Sequence, residues 1–213
     1  MKIKSSELTG LRKLARAFTL IEMIGVLAVI AILAALLIPK VFGAINDARI
    51  NSAVVGAQTV KTALIDHYGK YGRWDSVNGT VMGSFAMPFG GYDTNVLMAE
   101  SLLEKPFTTK VGTNSWIEVD PCPPDNTSVS GSASSGFNLS GNGTASETSG
   151  QYLVQAVITS VTESDAQAIS QRIDGPSLSI VGTNGVPDYK GRVKYAAPGS
   201  DGTTTVYIYL AHH

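Results

Sequence analysis

Residues 17–42 read AFTLIEMIGVLAVIAILAALLIPKVF, from Ala17 to Phe42, and this stretch decides the fold. No side chain from Met23 to Pro39 is charged, and Phe18, Leu20 and Ile21 extend the apolar run toward the N-terminus. At about 1.5 Å rise per residue, Phe18 to Ile38 covers roughly the 30 Å of a bilayer's hydrocarbon core. The exception is Glu22, a carboxylate placed inside what should be lipid. Burying such a charge unpaired costs at least about 2–3 kcal/mol, so it asks for a partner. An ordinary secretory signal has an apolar core of about 7–15 residues and then a small-residue cleavage site. Here the run is longer, carries an acid at its start and continues into a helical pattern without a turn. Cleavage near Gly43 or Ala44, or an uncut single-pass anchor, are the plain alternatives.

A basic leader, a small residue, Phe18-Thr19-Leu20-Ile21-Glu22 and an apolar helix interrupted by Pro39 together resemble the N-terminus of type IV prepilins and type II secretion pseudopilins. The resemblance covers about Arg12 to Tyr71. It implies that a prepilin peptidase cuts between Ala17 and Phe18 on the cytoplasmic side and that the new Phe18 amine is methylated. The family usually has Gly before the cut, and Ala17 departs from that pattern. The resemblance further implies assembly roles for Thr19, Glu22 and Pro39. Glu22 would meet the Phe18 amine of an adjacent subunit, and the helix around Pro39 would extend or melt in a filament. Electrostatics is compatible with this role, because an opposite charge within a few ångströms favours an ionised acid and low dielectric magnifies the effect. The plain alternative is a stray acid near the membrane interface.

Beyond Pro39, which removes a backbone donor and kinks or loosens a helix, Ile50, Val54, Ala57, Val60, Leu64 and Tyr68 recur every three or four residues. Asp47, Arg49, Asn51, Ser52, Gln58, Lys61 and Asp66 fall mostly on other faces. This predicts an amphipathic continuation with one apolar stripe for a domain to pack on, ending at Gly69 or Gly72. The whole helix would be near 75 Å long by rise per residue. The expected organisation is a cytoplasmic leader at 1–17, a membrane-spanning or filament-core half at 18–42, an amphipathic half at 43–70 and a globular domain at 71–213.

In that domain, Asp93–Glu104 reads as a short helix with an Asp or Thr cap, stopped by Pro106. Trp116–Val119 reads as a strand. Residues 126–150 are dominated by Ser, Gly, Asn and Thr and read as an exposed or loosely ordered loop. The triplets starting at Asn126, Asn138 and Asn142 resemble glycosylation acceptors but arise easily in such a tract. Tyr152–Thr159 is strand-like, Thr162–Asp165 is close to a capping box before a helix ended by Gly175, and Tyr189–Ala196 with Thr204–Leu210 predicts a hairpin. The fold class is α+β, a helix on a small antiparallel sheet, as the pilin resemblance also implies.

Catalytic chemistry is sparse. His67 beside Asp66 reads as a solvated pair, and His212 and His213 lie apart from other ligand types. Cys122 is the sole cysteine, so no disulfide closes within the chain, unlike many pilins. It reads as a buried or idle thiol, with pairing between subunits as the alternative. Pseudopilins as a class suggest a structural calcium, and Asp188, Asp201, Asn184 and Ser200 lie in Gly-rich turns. They lack the spacing of a calcium loop and serve equally as turn residues. Gly90-Gly91 and Gly182–Gly185 also read as turns, and no metal or other cofactor is expected.

The net charge is −1, and removing residues 1–17 takes five of the 16 bases and one of the 17 acids, leaving about −5. That acidic balance gives no footprint for nucleic acid. The basic leader predicts that the C-terminal part faces out of the cytoplasm. The resulting expectation is a non-enzymatic pilus subunit that starts as an inner-membrane precursor and self-associates into a surface filament. Its partners would be the lipid bilayer, the prepilin peptidase and the assembly platform. A secretion pseudopilin of the periplasm and a membrane-anchored binding domain are the alternatives.

Overall fold

The computed structural model describes residues 19–81, 89–122, 129–142, 145–180 and 185–213. The leader, Ala17, Phe18, the triplet at Asn126 and part of that at Asn142, and Asn184 lie outside these residues. The chain divides between Ala44 and Ile45. On the first side lies the start of α1 (Leu20–Tyr71), with Pro39 inside the helix. Proline has no N–H to give the carbonyl of Ala35, four residues back. Fifteen large apolar side chains between Leu20 and Phe42 are exposed.

On the second side, α1 shows the stripe that the sequence predicts. Ile50, Val54, Ala57, Val60 and Leu64 are buried, joined by Ala53, Ala63 and His67, and Tyr68 packs partly buried at the edge. The helix stops where Gly72, at φ +67°, returns its N–H to the carbonyl of Tyr68 at 2.7 Å. Glycine takes this left-handed conformation without a Cβ penalty.

A hairpin of β1 (Ser76–Val77) and β2 (Thr80–Val81) follows, turning at Asn78-Gly79, both at positive φ. The main sheet contains β3 (Phe89–Gly90), β4 (Asn114–Pro121), β5 (Tyr152–Thr162), β6 (Val193–Tyr195) and β7 (Thr203–His212). Its order is β3-β4-β5-β7-β6, with every neighbouring pair antiparallel. α2 (Glu163–Asp174) joins β5 to the last strands. Thr162 caps it by accepting from the Asp165 N–H, and Gly175 ends it. The β6–β7 hairpin is also present, with β6 shorter than the sequence run.

Strand alternation gives the sheet two buried faces. Ile117, Val119, Val154, Ala156, Ile158, Val206, Ile208 and Leu210 form one core with the α1 stripe and with Ala166 and Ile169 of α2. Trp116, Glu118, Gln155, Tyr207, Tyr209 and Lys194 belong to the opposite face.

Two expectations are corrected here. The Asp93–Glu104 stretch is not a capped α-helix but a five-residue π turn, Asp93–Leu97, followed by turns, with no side-chain cap. Asp93 instead accepts from the N–H of Phe107 at 2.7 Å, a tertiary bond that outweighs the local capping preference. The Ser/Gly/Asn tract is not an exposed loop in its described parts. Val129, Ser135, Phe137, Asn138 and Thr148 are buried, and the tract covers the second face of the sheet. Small residues make this possible: a Cβ on Gly131 would lie 2.5 Å from the backbone nitrogen of Ala196.

Gly112 sits where the chain closes on β5. Its φ is +70°, and a Cβ there would lie 2.2 Å from the Thr159 carbonyl oxygen. That oxygen already accepts from the N–H of Thr113. Gly112→Ala therefore combines backbone strain with overlap against a fixed strand, and we expect a loss of about 2–3 kcal/mol. Thermal unfolding of the full chain in detergent should show a melting point lower by roughly 5–10 °C. An unchanged midpoint would refute the close approach.

Candidate assembly site

The candidate site is built at the start of α1. Glu22 lies in the first turn, three residues after Thr19. The Thr19 N–H donates to Glu22 Oε2 at 2.8 Å and the Thr19 hydroxyl donates to the same oxygen at 2.7 Å. The Glu22 N–H lies 3.3 Å from the Thr19 hydroxyl oxygen. This reciprocal arrangement is a capping box, which satisfies donors that a helix start leaves orphaned. The helix dipole favours an acid at this end as well.

The carboxylate that seemed to demand a partner thus has one inside its own chain. The T-x-x-E spacing was readable in the sequence. The lipid context of the same carboxylate points instead to the Phe18 amine. Ala17 and Phe18 lie outside the described residues, so the structure brings Thr19 and Glu22 together and gives no geometry for the amine. Pro39 stands well along the same helix, apart from this cluster.

The other candidate residues fall elsewhere. His67 is corrected from a solvated partner of Asp66 to a fully buried group. Its Nδ1 lies 2.7 Å from Glu100 Oε2 and its Nε2 lies 3.1 Å from the Arg73 carbonyl oxygen. Neighbouring residues on a helix do not face each other, so Asp66 points to a different side. Glu100 Oε1 accepts from the Asn78 N–H at 2.6 Å, linking helix end and hairpin turn. Tyr71, Trp74 and Tyr92 surround the imidazole.

His212 Nδ1 lies 2.6 Å from the Tyr209 hydroxyl, and burial together with His213 pulls its basicity down. The His213 ring packs on Tyr68. Cys122 is buried and unpaired.

The turn residues considered for calcium are engaged separately. Asp188 accepts from the Ser170 hydroxyl at 2.8 Å and from the N–H groups of Ile180 and Lys190. Burial raises its pKa while those bonds oppose the rise. Asp201 accepts from the hydroxyl and N–H of Thr203, which hold its pKa down. Among the described residues no three His, Cys, Asp or Glu side chains gather as metal ligands.

Comparison with known proteins agrees on the N-terminus. Residues 12–38 match the family described as the prokaryotic N-terminal methylation motif. A fimbrial protein of Neisseria meningitidis is 35% identical over 65 residues. That match covers 30% of this chain and 38% of the relative's own length. No solved structure matches the chain at a significant level.

Proposed function

We propose that this chain, which matches the prokaryotic N-terminal methylation motif over residues 12–38 and a fimbrial protein over 65 residues, is a structural subunit of a type IV pilus. The observation that supports this most is the coincidence of the methylation motif at 12–38 with an exposed apolar helical face. Fifteen large apolar side chains between Leu20 and Phe42 lie open. At about 1.5–3 kcal/mol each, leaving them in water would cost on the order of 20–45 kcal/mol. Lipid covers them in the precursor, and the same face of other copies covers them in a filament.

Processing by prepilin peptidase between Ala17 and Phe18, with methylation of Phe18, frees the amine that answers Glu22. The precursor is a single-pass inner-membrane protein whose Ile45–His213 unit lies outside the cytoplasm, and the assembled form is a surface fibre. Thr19 and Glu22 act at the exchange between these states. The capping box satisfies the carboxylate while the subunit is in lipid, and the Phe18 amine of an adjacent copy replaces it on assembly.

Intact mass and N-terminal sequence of the protein from a sheared cell-surface fraction test this reading. We expect a methylated Phe18 start in fibres. The same start confined to the cell envelope would replace the pilus by a secretion pseudopilus. A chain found only with its leader attached would overturn the filament reading in favour of a membrane-anchored binding domain.

A further inference from the structure

Three basic side chains gather round one cavity between α1, α2 and β7. Lys61 of α1, Arg172 of α2 and Arg192, the residue before β6, line a space of about 70 Å³. They do so in a unit, Ile45–His213, whose acids outnumber its bases. Val54 and Ala57 of α1, Ile173 of α2, and Ile208 and Leu210 of β7 supply apolar walls. A cleft with low-dielectric walls and one sign of charge focuses the field into its interior.

The neighbouring acids engage these bases only in part. Arg172 donates one Nη2 bond, at 2.9 Å, to Asp47, a carboxylate that stands mostly in solvent. Arg192 donates from Nε to Asp174 at 3.2 Å and from Nη2 to the Ile173 carbonyl. Asp174 is buried, and it also accepts from the backbone N–H groups of Arg192 and Val193 at 2.9 Å. Backbone donors therefore share its charge, and the Arg192 guanidinium is not consumed by the pair. Lys61 pairs with no carboxylate among the described residues. Its Nζ stands 5.7 Å from the ring centre of Tyr209, a weak contact for a full charge.

We propose that this cavity is an oxyanion site that takes a phosphate group, held by Lys61, Arg172 and Arg192. The volume is several times the roughly 10–15 Å³ that a single water needs, so a compact tetrahedral anion has room. Arginine presents N–H donors in a planar fork that matches phosphate oxygens, and lysine adds a point charge. A phosphate near pH 7 carries about −1.5 to −2 charges and three strong acceptor oxygens. Those three oxygens answer three cationic groups, whereas a carboxylate brings two oxygens and a single charge. The site does not depend on the pilus reading, because all its residues belong to the Ile45–His213 unit.

Calorimetric titration of the full chain in detergent micelles with inorganic phosphate, at ionic strength fixed by sodium chloride, tests this. We expect one saturable site with Kd below about 1 mM. Lys61→Gln removes an amine that has no carboxylate partner, so its melting point without phosphate should match the unaltered chain. Its affinity for phosphate should fall on the order of tenfold, and Arg172→Gln should weaken binding similarly. Lys70, in the last turn of α1, lies outside the cavity. Lys70→Gln makes the same change in net charge and should leave phosphate affinity unaltered. Absence of saturation up to about 10 mM phosphate, ten times that Kd, overturns the proposal. So does an equal loss in Lys70→Gln, or acetate binding as tightly as phosphate. Glycerol 3-phosphate separates two sources of the same group. Binding equal to that of inorganic phosphate assigns the site to esterified phosphate such as a headgroup, and its rejection assigns the site to the free anion.

Discussion

Glu22→Ala should be cleaved and methylated normally yet yield few fibres. The substitution removes a charge from the apolar segment, so the subunit becomes more comfortable in lipid than the unaltered one. In the proposed filament it also leaves the amine of a neighbouring Phe18 without its carboxylate. Both effects favour the bilayer over the fibre. With about 2–3 kcal/mol at stake for an intramembrane charge, the association constant per subunit should fall about 30- to 150-fold. Fibre yield by shearing and intact mass of the membrane fraction measure the two halves separately. Normal fibre yield from this variant would sink the charge-pairing argument. Thr19 sharpens the test, because its N–H and hydroxyl both donate to the same Glu22 oxygen.

His67→Ala should be the most damaging single change in the Ile45–His213 unit. Removing the imidazole leaves Glu100, whose side chain is 2% exposed, as a buried carboxyl group whose remaining partner among the described residues is the Asn78 N–H. It also opens a space between the rings of Tyr71, Trp74 and Tyr92. Breaking one side of a buried pair costs about 3–5 kcal/mol. For a unit of this size the melting point should fall by roughly 6–20 °C. Tryptophan fluorescence of the full chain in detergent follows the transition, since Trp74 stacks on His67. Glu100→Ala should be similarly costly, and the double variant should cost less than the sum because the two share one interaction. A loss below about 1 kcal/mol for His67→Ala would show that the pair is not structurally important.

The parts of this fold that were legible in the sequence are those whose cause is local. The α1 stripe from Ile50 to Leu64 follows from helical spacing, and the alternation along β7 follows from the two-residue pleat. The Thr162 cap and the Gly175 stop were readable for the same reason. The misreadings share a different cause. Asp93, His67 and the 129–142 segment each take their partners from far along the chain: Phe107, Glu100 and Lys194. No local pattern marks such bonds. The Ser/Gly/Asn composition was also ambiguous in itself, because small polar residues serve a solvated loop and a close-fitting cover equally well. At the candidate site, Glu22 stood out by its chemistry, whereas its capping partner Thr19 needed only the three-residue spacing to be noticed.

The position of β7 also bears on how the protein is made. It lies between β5 and β6, yet it occupies Thr203–His212, the last strand in chain order. Until those residues are present, β5 has only β4 to pair with, and β6 has no neighbour in the sheet. Closing the sheet thus requires contacts between residues as far apart as Leu153 and His212, a topology that folds slowly. In the proposed export the apolar faces of β5 and of the α1 stripe remain unsatisfied until Thr203–His212 arrive. On the pilus reading, assembly quality is then a matter of timing: a subunit offered to a growing fibre before β7 arrives would present an unfinished sheet.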